Sequence, residues 1–179
     1  VGDPITQASL DEAKRRLLMT QNFGARHPED PDGGVRITAD VGPDGAKVTI
    51  EVDENDKVRG INITGTGPIP VAEIRALMQT KEGMILNTGW LIADTERISK
   101  YYQDKGYQPY FGEVNVDENG IVTIPVGVAK VNKIRITGLK KTKEYVVLRE
   151  MQLKPGDYYN LNVFKRDIQR IYNTDLFED

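Results

Sequence analysis

A repeat with a period of 73 residues runs through this 179-residue chain and constrains its fold more than any other feature. The pentapeptide Ile-Asn-Ile-Thr-Gly at residues 61–65 recurs as Ile-Arg-Ile-Thr-Gly at residues 134–138, and Gly83 recurs as Gly156 at the same offset. A period of this size indicates an array of similar modules, each of them one small supersecondary unit. Neither end of the chain falls on a repeat boundary, so we expect the sequence to begin and end within a module of a longer protein.

The middle module, residues 57–129, contains a complete pattern and predicts two helices after a first strand. Alternating apolar residues predict a strand over 58–64. Apolar residues at helical spacing predict helices over 71–78 and 90–104, the second of them capped by Asn87-Thr88. Gly83 and Gly106 follow the two helices, where a residue without a Cβ can take positive φ.

A β-hairpin is predicted to complete the middle module. Alternating residues form a first strand over 110–116 and a second over 122–128, and the Asn119-Gly120 pair between them is a strong turn signal. Two helices can cover only one face of a three-stranded sheet, so we predict a three-stranded mixed sheet with two helices on one face. Pro125 lies in the central strand and cannot donate to a ladder, which predicts a bulge or a gap in the pairing.

The flanking sequence predicts two partial modules, which makes the chain a tandem α+β array of β-α-α-β-β modules. The first partial module, residues 1–56, supplies a second helix and a hairpin whose first strand runs over 35–41. The third partial module, residues 130–179, supplies a first strand over 134–137, a helix that starts from a Thr142 cap, and a second helix over 163–173. The linkers between modules are short and poor in glycine and serine, so we expect restricted angles between neighbours.

Composition excludes several classes of function. A net charge of −3 leaves no basic footprint for nucleic acid. The absence of cysteine excludes disulfides, thiolate catalysis and Cys-ligated zinc. No apolar stretch approaches the roughly 18 residues that a membrane-spanning helix needs. Residues 1–4 show neither the charged segment nor the apolar segment of a targeting peptide, so we expect none within this sequence, and in an apparent fragment this indicates nothing about where the protein is located.

Three short segments have some features of binding sites, and we interpret each as structural. The run from Gly65 to Pro70 follows a strand and precedes a helix, but proline replaces the third glycine of a dinucleotide fingerprint. The two Val-Asp-Glu-Asn segments, 52–55 and 116–119, lack the ligand spacing of a calcium loop. His27 has no second histidine or cysteine with which to bind a metal, so we expect it in a solvated acidic loop. We therefore predict no catalytic, cofactor-binding or metal-binding residues and no cofactor, and expect a protein that is not an enzyme.

The chain resembles the POTRA domain, the polypeptide-transport-associated module. The resemblance rests on a strand that ends in Ile-x-Ile-x-Gly, a helix, Gly-Asp, a second helix and a following aromatic residue. The clearest copy comprises residues 131–138, 155–160 and 171–179. Tandem copies with tight linkers are similar to the periplasmic arm of BamA-type outer-membrane assembly factors. The chain departs from the family pattern in lacking an acidic-Gly pair at the module ends, where Asp53-Glu54 and Gly127-Val128 stand instead.

The resemblance implies a binding and chaperone-like arm on the periplasmic side of the outer membrane. Its partners would be unfolded outer-membrane proteins, accessory assembly lipoproteins and a C-terminal membrane barrel of its own chain, to which it passes its clients. We expect capture by strand addition to the edge strand of each hairpin. The predicted partner-binding residues are Val35, Ile37, Ala39 and Val41 at one edge, and Tyr110, Gly112, Val114 and Val116 at the other.

Other functions remain open from the sequence. The arm could belong to a two-partner secretion transporter or a plastid import channel. A divisome-type structural scaffold is a further alternative, although such proteins typically carry one POTRA module. An enzyme with an unrecognised site is the least supported, because no acid, base and nucleophile cluster together.

Overall fold

The computed structural model describes residues 5–24, 27 and 29–175, and within them the chain is a mixed α+β protein. Residues 1–4, residues 25–26, Pro28 of the predicted acidic loop and residues 176–179 of the POTRA-like motif lie outside the described residues. The helices are α1 (Gln7–Leu18), α2 (Val71–Leu77), α3 (Thr88–Asp104), α4 (Glu144–Leu148) and α5 (Leu161–Tyr172). The strands are β1 (Val35–Gly42), β2 (Gly45–Val52), β3 (Gly60–Thr64), β4 (Pro109–Phe111), β5 (Asn115–Val116) and β6 (Ile121–Val128).

The described chain forms two compact units. One unit contains the described residues up to Ile61 together with Gln79–Asp94 and Val116–Val122, so it holds α1 and the β1–β2 hairpin. The other contains Asn62–Met78, Thr95–Asn115 and the described residues from Thr123 onward, so it holds α2, α4 and α5. The junction between the first two modules thus lies within one unit, and the junction between the last two lies within the other.

The middle module has the predicted mixed sheet. Its strand order is β3–β6–β4, with β5 also paired to β6. β4 is antiparallel to β6. Gly60 lies beside Ile121 and Gly65 beside Val126, so β3 and β6 run in the same direction. Side chains along β6 alternate between buried and half-buried, as expected of a sheet with helices on one face.

The first strand of this hairpin is interrupted, which corrects the prediction of a continuous strand over 110–116. Only 109–111 and 115–116 are strand, and residues 112–114 lie outside the ladder. Pro125 of β6 faces the interruption, where its carbonyl oxygen accepts a hydrogen bond from the Gly112 amide at 3.0 Å. Because proline has no N–H to return the bond, the pairing lapses there, as expected from the prediction of a bulge or a gap at Pro125.

Residues 134–137 do not form the predicted strand. They alternate in exposure like a strand, but no ladder partner lies among the described residues. Ile134 and Ile136 are only half-buried, whereas the equivalent Ile61 and Ile63 in β3 are each 6% exposed. The predicted Thr142 cap is also wrong, since α4 begins at Glu144 and has Lys143 at its N-cap.

The 73-residue repeat extends to individual hydrogen bonds. The Val58 amide donates to the Met84 carbonyl at 2.8 Å, and 73 residues later the Val131 amide donates to the Asp157 carbonyl at the same distance. The Val58 carbonyl accepts from the Gly83 amide, as the equivalent Val131 carbonyl accepts from Gly156. The sequence repeat is therefore a repeat of structure, in which the first-strand segment of each module is tied to the turn that precedes its second helix.

Candidate partner-binding site

The outer edge of β1 presents backbone groups that β2 does not use. β1 pairs antiparallel with β2 in the register Ile37↔Ile50, Ala39↔Val48 and Val41↔Ala46. The Asp53 amide donates to the Gly34 carbonyl at 2.7 Å, so Gly34 and Asp53 form a hydrogen-bonded pair. Hydrogen-bonded and non-hydrogen-bonded pairs alternate along an antiparallel ladder, so the N–H and C=O groups of residues 37, 39 and 41 point away from β2.

This edge coincides with one of the two predicted binding strands. Of its four predicted residues, Ile37, Ala39 and Val41 carry the outward backbone groups, whereas the Val35 amide already donates to the Asp32 carbonyl at 3.2 Å. Val35 is fully buried and Val41 is 83% exposed, so the edge becomes more accessible toward the hairpin turn. No strand among the described residues pairs with this edge.

An ion-pair cluster fixes the entry to β1. The Asp32 carboxylate, just before the strand, lies 2.7 Å from Lys14 Nζ of α1 and 3.1 Å from Arg36 Nε of β1. Hydrogen bonds from Lys14 and then from Arg36 hold the pKa of the Asp32 carboxyl below its ordinary value. These contacts tie helix α1 to the buried end of β1, while the residues nearer the turn stay accessible.

The second predicted edge offers fewer outward backbone groups than the edge of β1. The Gly112 amide bonds to the Pro125 carbonyl, and alternation then makes Tyr110↔Gly127 a hydrogen-bonded pair. The backbone groups of Tyr110 and Gly112 therefore face β6, which corrects their assignment to the open edge; in β4 the outward N–H belongs to Phe111. Val114 lies in the interruption, and Val116 lies in β5, which is two residues long.

Tyr110 contributes to a side-chain surface on the open face of the sheet. Its side chain is 63% exposed, and its ring lies directly over Gly127, where any Cβ would overlap the ring. A shallow cavity of about 390 Å³ adjoins it, with Gly112 and Tyr158 also in its lining. The large aromatic side chain shields the backbone of a glycine in the central strand, so at this position packing requires glycine.

Two equivalent asparagines link successive modules, and the sequence predictions missed this role. Asn87 Nδ2 donates to the Thr20 carbonyl at 2.7 Å, and Asn160 Nδ2 donates to the Lys105 carbonyl at 2.9 Å. Each acceptor lies just after the second helix of the preceding module. Each asparagine oxygen also accepts a backbone amide in the first turn of the helix that follows it. One side chain thus caps a helix and bonds the neighbouring module.

Two buried aspartates recur at the same period. Asp94 accepts the Gln79 and Thr80 amides at 2.7 and 2.9 Å, and Asp167 accepts the Leu153 amide at 3.0 Å. Both aspartates are fully buried. They hold the segment that follows the first helix against the second helix. The signal was present in the sequence, because Asp94 and Asp167 are separated by 73 residues, as are Asn87 and Asn160.

The structure also shows the roles of the segments that the sequence analysis interprets as structural. Gly65 and Gly67 have positive φ in the turn after β3, and the Val126 carbonyl approaches Gly65 too closely for a Cβ, which accounts for glycine there. The His27 side chain is exposed and lies 3.5 Å from Glu29. Across the described part of the chain, no group of three or more His, Asp or Glu residues is placed to hold a metal ion. None of the helices described is long and apolar enough to cross a membrane.

A match between the repeat and a family sequence model identifies the family. The sequence model of the POTRA family, described as the surface antigen variable number repeat, matches residues 57–127 and again residues 129–179. These two matches cover more than half of the chain. The chain belongs to the POTRA family. The predicted resemblance is thereby confirmed, and so is the α+β fold of tandem POTRA modules.

Solved POTRA structures share this fold. The N-terminal domain of Omp85 from the thermophilic cyanobacterium Thermosynechococcus elongatus superposes with a TM-score of 0.77 at 24% identity, over 99% of this chain and 76% of that one. POTRA domains 1–3 of the periplasmic domain of Omp85 from Anabaena give a TM-score of 0.61 at 28% identity, over 99% of this chain and 75% of that one.

Curated relatives are outer-membrane and outer-envelope proteins. The chain is 26% identical over 145 residues to the chloroplastic outer envelope protein 80 of Oryza sativa, and 27% identical over 158 residues to a putative outer membrane protein assembly factor of Treponema pallidum. The outer membrane protein assembly factor BamA of Nitratidesulfovibrio vulgaris is 24% identical over 151 residues. These matches cover 76–80% of this chain but only 18–22% of the relatives, so the chain spans about a fifth of their length.

Proposed function

We propose that this chain is part of a periplasmic arm that captures unfolded outer-membrane proteins by strand addition and passes them to a membrane barrel for insertion. The client strand pairs with the outer edge of β1, through the outward backbone groups of Ile37, Ala39 and Val41. Backbone pairing is nearly independent of client sequence, which suits a receptor for many clients. Accessory assembly lipoproteins would act beside it.

The observation that carries this proposal is the open edge of β1, in the partial module that precedes the two segments matched by the POTRA family model. A strand edge with unused donors and acceptors is a ready template for pairing with another chain. This edge is eight residues long, against three in β4. It also lacks a proline, so every outward position can both donate and accept. The assembly-factor relatives supply the class of client.

A plastid outer-envelope arm is the second candidate. The relatives named as chloroplastic outer envelope protein 80, from rice and from Arabidopsis thaliana, favour it. The edge-strand mechanism would be the same, but the clients and the membrane would differ. Comparing the affinities for unfolded bacterial outer-membrane proteins and plastid envelope proteins separates the two.

The arm would act by binding alone, without catalysis. The described residues contribute backbone edges, capped helices and salt bridges to the proposed site, and strand addition needs no acid, base or nucleophile. Turnover in a hydrolase panel that disappears on a point mutation of the purified chain would overturn this part of the proposal.

A matched pair of proline substitutions tests strand addition at β1. Ala39→Pro removes an outward donor of β1, and Ala46→Pro removes an outward donor of β2, and neither amide bonds within the hairpin. Loss of one backbone hydrogen bond worth roughly 1 kcal/mol corresponds to about a fivefold loss of affinity. We expect Ala39→Pro to weaken binding of a urea-unfolded outer-membrane protein, measured by fluorescence anisotropy, by at least that factor.

Ala46→Pro is the control, because it places the same residue on the opposite edge of the same hairpin. It should leave client affinity within twofold of the parent. Circular dichroism melting of both variants checks that each is folded. Equal client affinities for the two folded variants and the parent would contradict strand addition at β1.

A further inference from the structure

The sheet of the middle module has an open face without charged side chains. Buried and half-buried residues alternate along β6, so one set packs against the helices and the other set points to the open face. The open face contains Asn62 and Thr64 of β3, Tyr110 of β4, and Thr123, Pro125 and Gly127 of β6. Each of these residues is half-buried or exposed, and none of them is charged.

The β1–β2 hairpin shows a different kind of polar face in the same chain. Its cross-strand pairs include Arg36 with Glu51 and Asp40 with Lys47, so charged side chains cover that face. The centres of protein interfaces are depleted in charged residues and enriched in tyrosine and other aromatic residues. The open face of the middle module therefore has the composition of a contact surface, whereas the polar face of the first hairpin has the composition of a solvated one.

Tyr110 supplies an aromatic surface at one end of the open face. Its ring lies directly over Gly127, where a Cβ would overlap it, and the side chain is 63% exposed. The ring thus covers the backbone on one side and is available to a partner. The cavity of about 390 Å³ beside it is also lined by Gly65 and Gly112, which leave its floor without bulky side chains. An aromatic side chain placed there can pack against the Tyr110 ring.

Lys130 is the charged residue in the described lining of this cavity, and its charge is partly compensated. Its Nζ lies 4.9 Å from the centroid of the Tyr158 ring, which also lines the cavity. An ammonium over an aromatic face is attracted by the electrons of the ring. Burying a charge without a partner is costly, and this contact lowers that cost at the rim of the cavity. The cavity is therefore suited to an uncharged, apolar group.

We propose that the open face of the middle module binds an aromatic side chain of an extended client segment, packed on Tyr110. This step rests on the proposed function, which supplies the class of client. Strands of outer-membrane barrels alternate lipid-facing and lumen-facing residues, and the apolar lipid-facing band ends in girdles of aromatic residues. The lipid-facing side chains of one such strand therefore form an uncharged row that ends in an aromatic residue. The open face, an uncharged row that ends in Tyr110, is complementary to it.

The two client contacts use different chemistry. The β1 edge binds client backbone and is nearly independent of client sequence. The open face binds side chains, so it prefers aromatic ones. A single capped amino acid cannot pair as a strand, and it therefore reports on the open face alone.

N-acetyltryptophanamide and N-acetylleucinamide are the probes that test the open face. Each is titrated into the isotope-labelled chain and followed by NMR. We expect the tryptophan probe to shift the amide signals of Gly112 and Gly127. The leucine probe should bind about two- to twelvefold less tightly, which is the range that an aromatic pair provides.

Substitutions of two equally exposed tyrosines supply the matched variants. Tyr110→Leu keeps an apolar side chain over Gly127 but removes the ring, so it should abolish the preference for tryptophan over leucine. Tyr110→Phe keeps the ring and should bind within about twofold of the parent. Tyr145 of α4 is 62% exposed and lies outside the cavity lining, so Tyr145→Leu should leave the preference unchanged. Circular dichroism melting checks that each variant is folded.

A second matched pair tests the importance of the missing charge. Thr123→Glu places a carboxylate on the open face and should weaken binding of the tryptophan probe. Thr49→Glu places the same group on the charged face of the first hairpin, where Thr49 pairs with Thr38, and should leave binding unchanged. Both threonines are half-buried in the parent. Equal losses in the two folded variants would contradict the proposal.

The remaining outcomes separate this proposal from strand addition. Equal affinities for the two probes, an unchanged preference in Tyr110→Leu, or the same loss in Tyr145→Leu would overturn binding at the open face, and the effect of Ala39→Pro on client affinity would still stand. Self-association of the parent that Tyr110→Leu abolishes in sedimentation velocity would also overturn it, because the occupant would then be a second copy. A tryptophan preference that depends on Tyr110, found together with equal client affinities of Ala39→Pro and the parent, would support the open face and overturn only strand addition at β1.

Discussion

Replacing Asn160 by aspartate should loosen the joint between the middle module and the third partial module without uncapping helix α5. In the parent, Asn160 Oδ1 accepts the Asn162 and Val163 amides at 3.0 and 3.1 Å, and Nδ2 donates to the Lys105 carbonyl at 2.9 Å. Aspartate keeps both capping acceptors. It removes the donor, and it turns a carboxylate oxygen toward a carbonyl that has lost its partner.

The expected magnitude follows from those three bonds. Asn160 is 8% exposed, so an unpaired carbonyl beside it would have little access to water. The aspartate variant should lose about 1–3 kcal/mol of unfolding free energy, which is the range for a buried hydrogen-bonding group left without its partner. Asn160→Ala should lose about 1 kcal/mol more, because it also removes the helix cap.

Because the chain contains no cysteine, spin labels attached to two introduced cysteines can measure the distance between the two modules. Spin labels on Lys100→Cys in α3 and Lys165→Cys in α5 report the distance between exposed sites on the two modules. We expect a narrow distance distribution in the parent and a broader one in Asn160→Asp. Thr6→Ala is the matched control, since it removes the side-chain cap of α1, and within the described part of the chain that cap bonds only Ser9 of its own helix.

A distribution as narrow in Asn160→Asp as in the parent, together with unchanged stability, would refute the idea that this side chain holds the joint. Broadening in Thr6→Ala of the same size would also refute it, since the effect would then reflect general destabilisation. The equivalent substitution at Asn87 should reproduce the result between the first two modules.

Further predictions concern single contacts. The pKa of Asp32 is lowered in the folded chain, so its ion pairs should stabilise the fold at pH values above the ordinary pKa of 3.8. This stabilisation should be lost as the pH falls through the lowered pKa. Chemical denaturation across that pH range should show a pH dependence of the unfolding free energy, and Asp32→Asn should abolish it. Gly127→Ala should displace the Tyr110 ring and lower the melting temperature, and the loss should shrink in a Tyr110→Ala background. Asp167→Ala should cost roughly 1–3 kcal/mol, because it leaves the buried Leu153 amide unpaired, and urea titration would measure it.

Much of the fold could be predicted from the sequence because the repeat and the alternation carry it. Residues 61–65 and 134–138 set the module period, and the period sets which segments correspond. An irregularity opposite Pro125, either a bulge or a gap, was predictable from the missing N–H alone. Residues 134–137 were predicted as a strand by the same reasoning, but alternation reports only which side chains turn inward. A strand also needs a partner, and no ladder forms beside them among the described residues.

The candidate site was predictable only in part. The sequence identified the edge strands, but not which backbone groups on them face outward. That depends on which residue pairs along the ladder are hydrogen-bonded and which are not. The Gly34–Asp53 bond fixes this in one hairpin, and the Gly112–Pro125 bond fixes it in the other. Choosing alternate residues therefore selected backbone groups that point outward in β1, but backbone groups that face β6 at Tyr110 and Gly112. Cross-strand register is a tertiary property that side-chain pattern alone does not specify.

Amide hydrogen exchange at the β1 edge, measured by NMR with and without a bound unfolded outer-membrane protein, tests the central claim most directly. The amides of Ile37, Ala39 and Val41 point outward, so they should exchange fast in the isolated chain and slow at least tenfold when a client strand pairs with them. The inward amides of Arg36, Thr38 and Asp40, already bonded to β2, should change far less. A client that binds while the three outward amides keep their fast exchange would contradict strand addition at this edge.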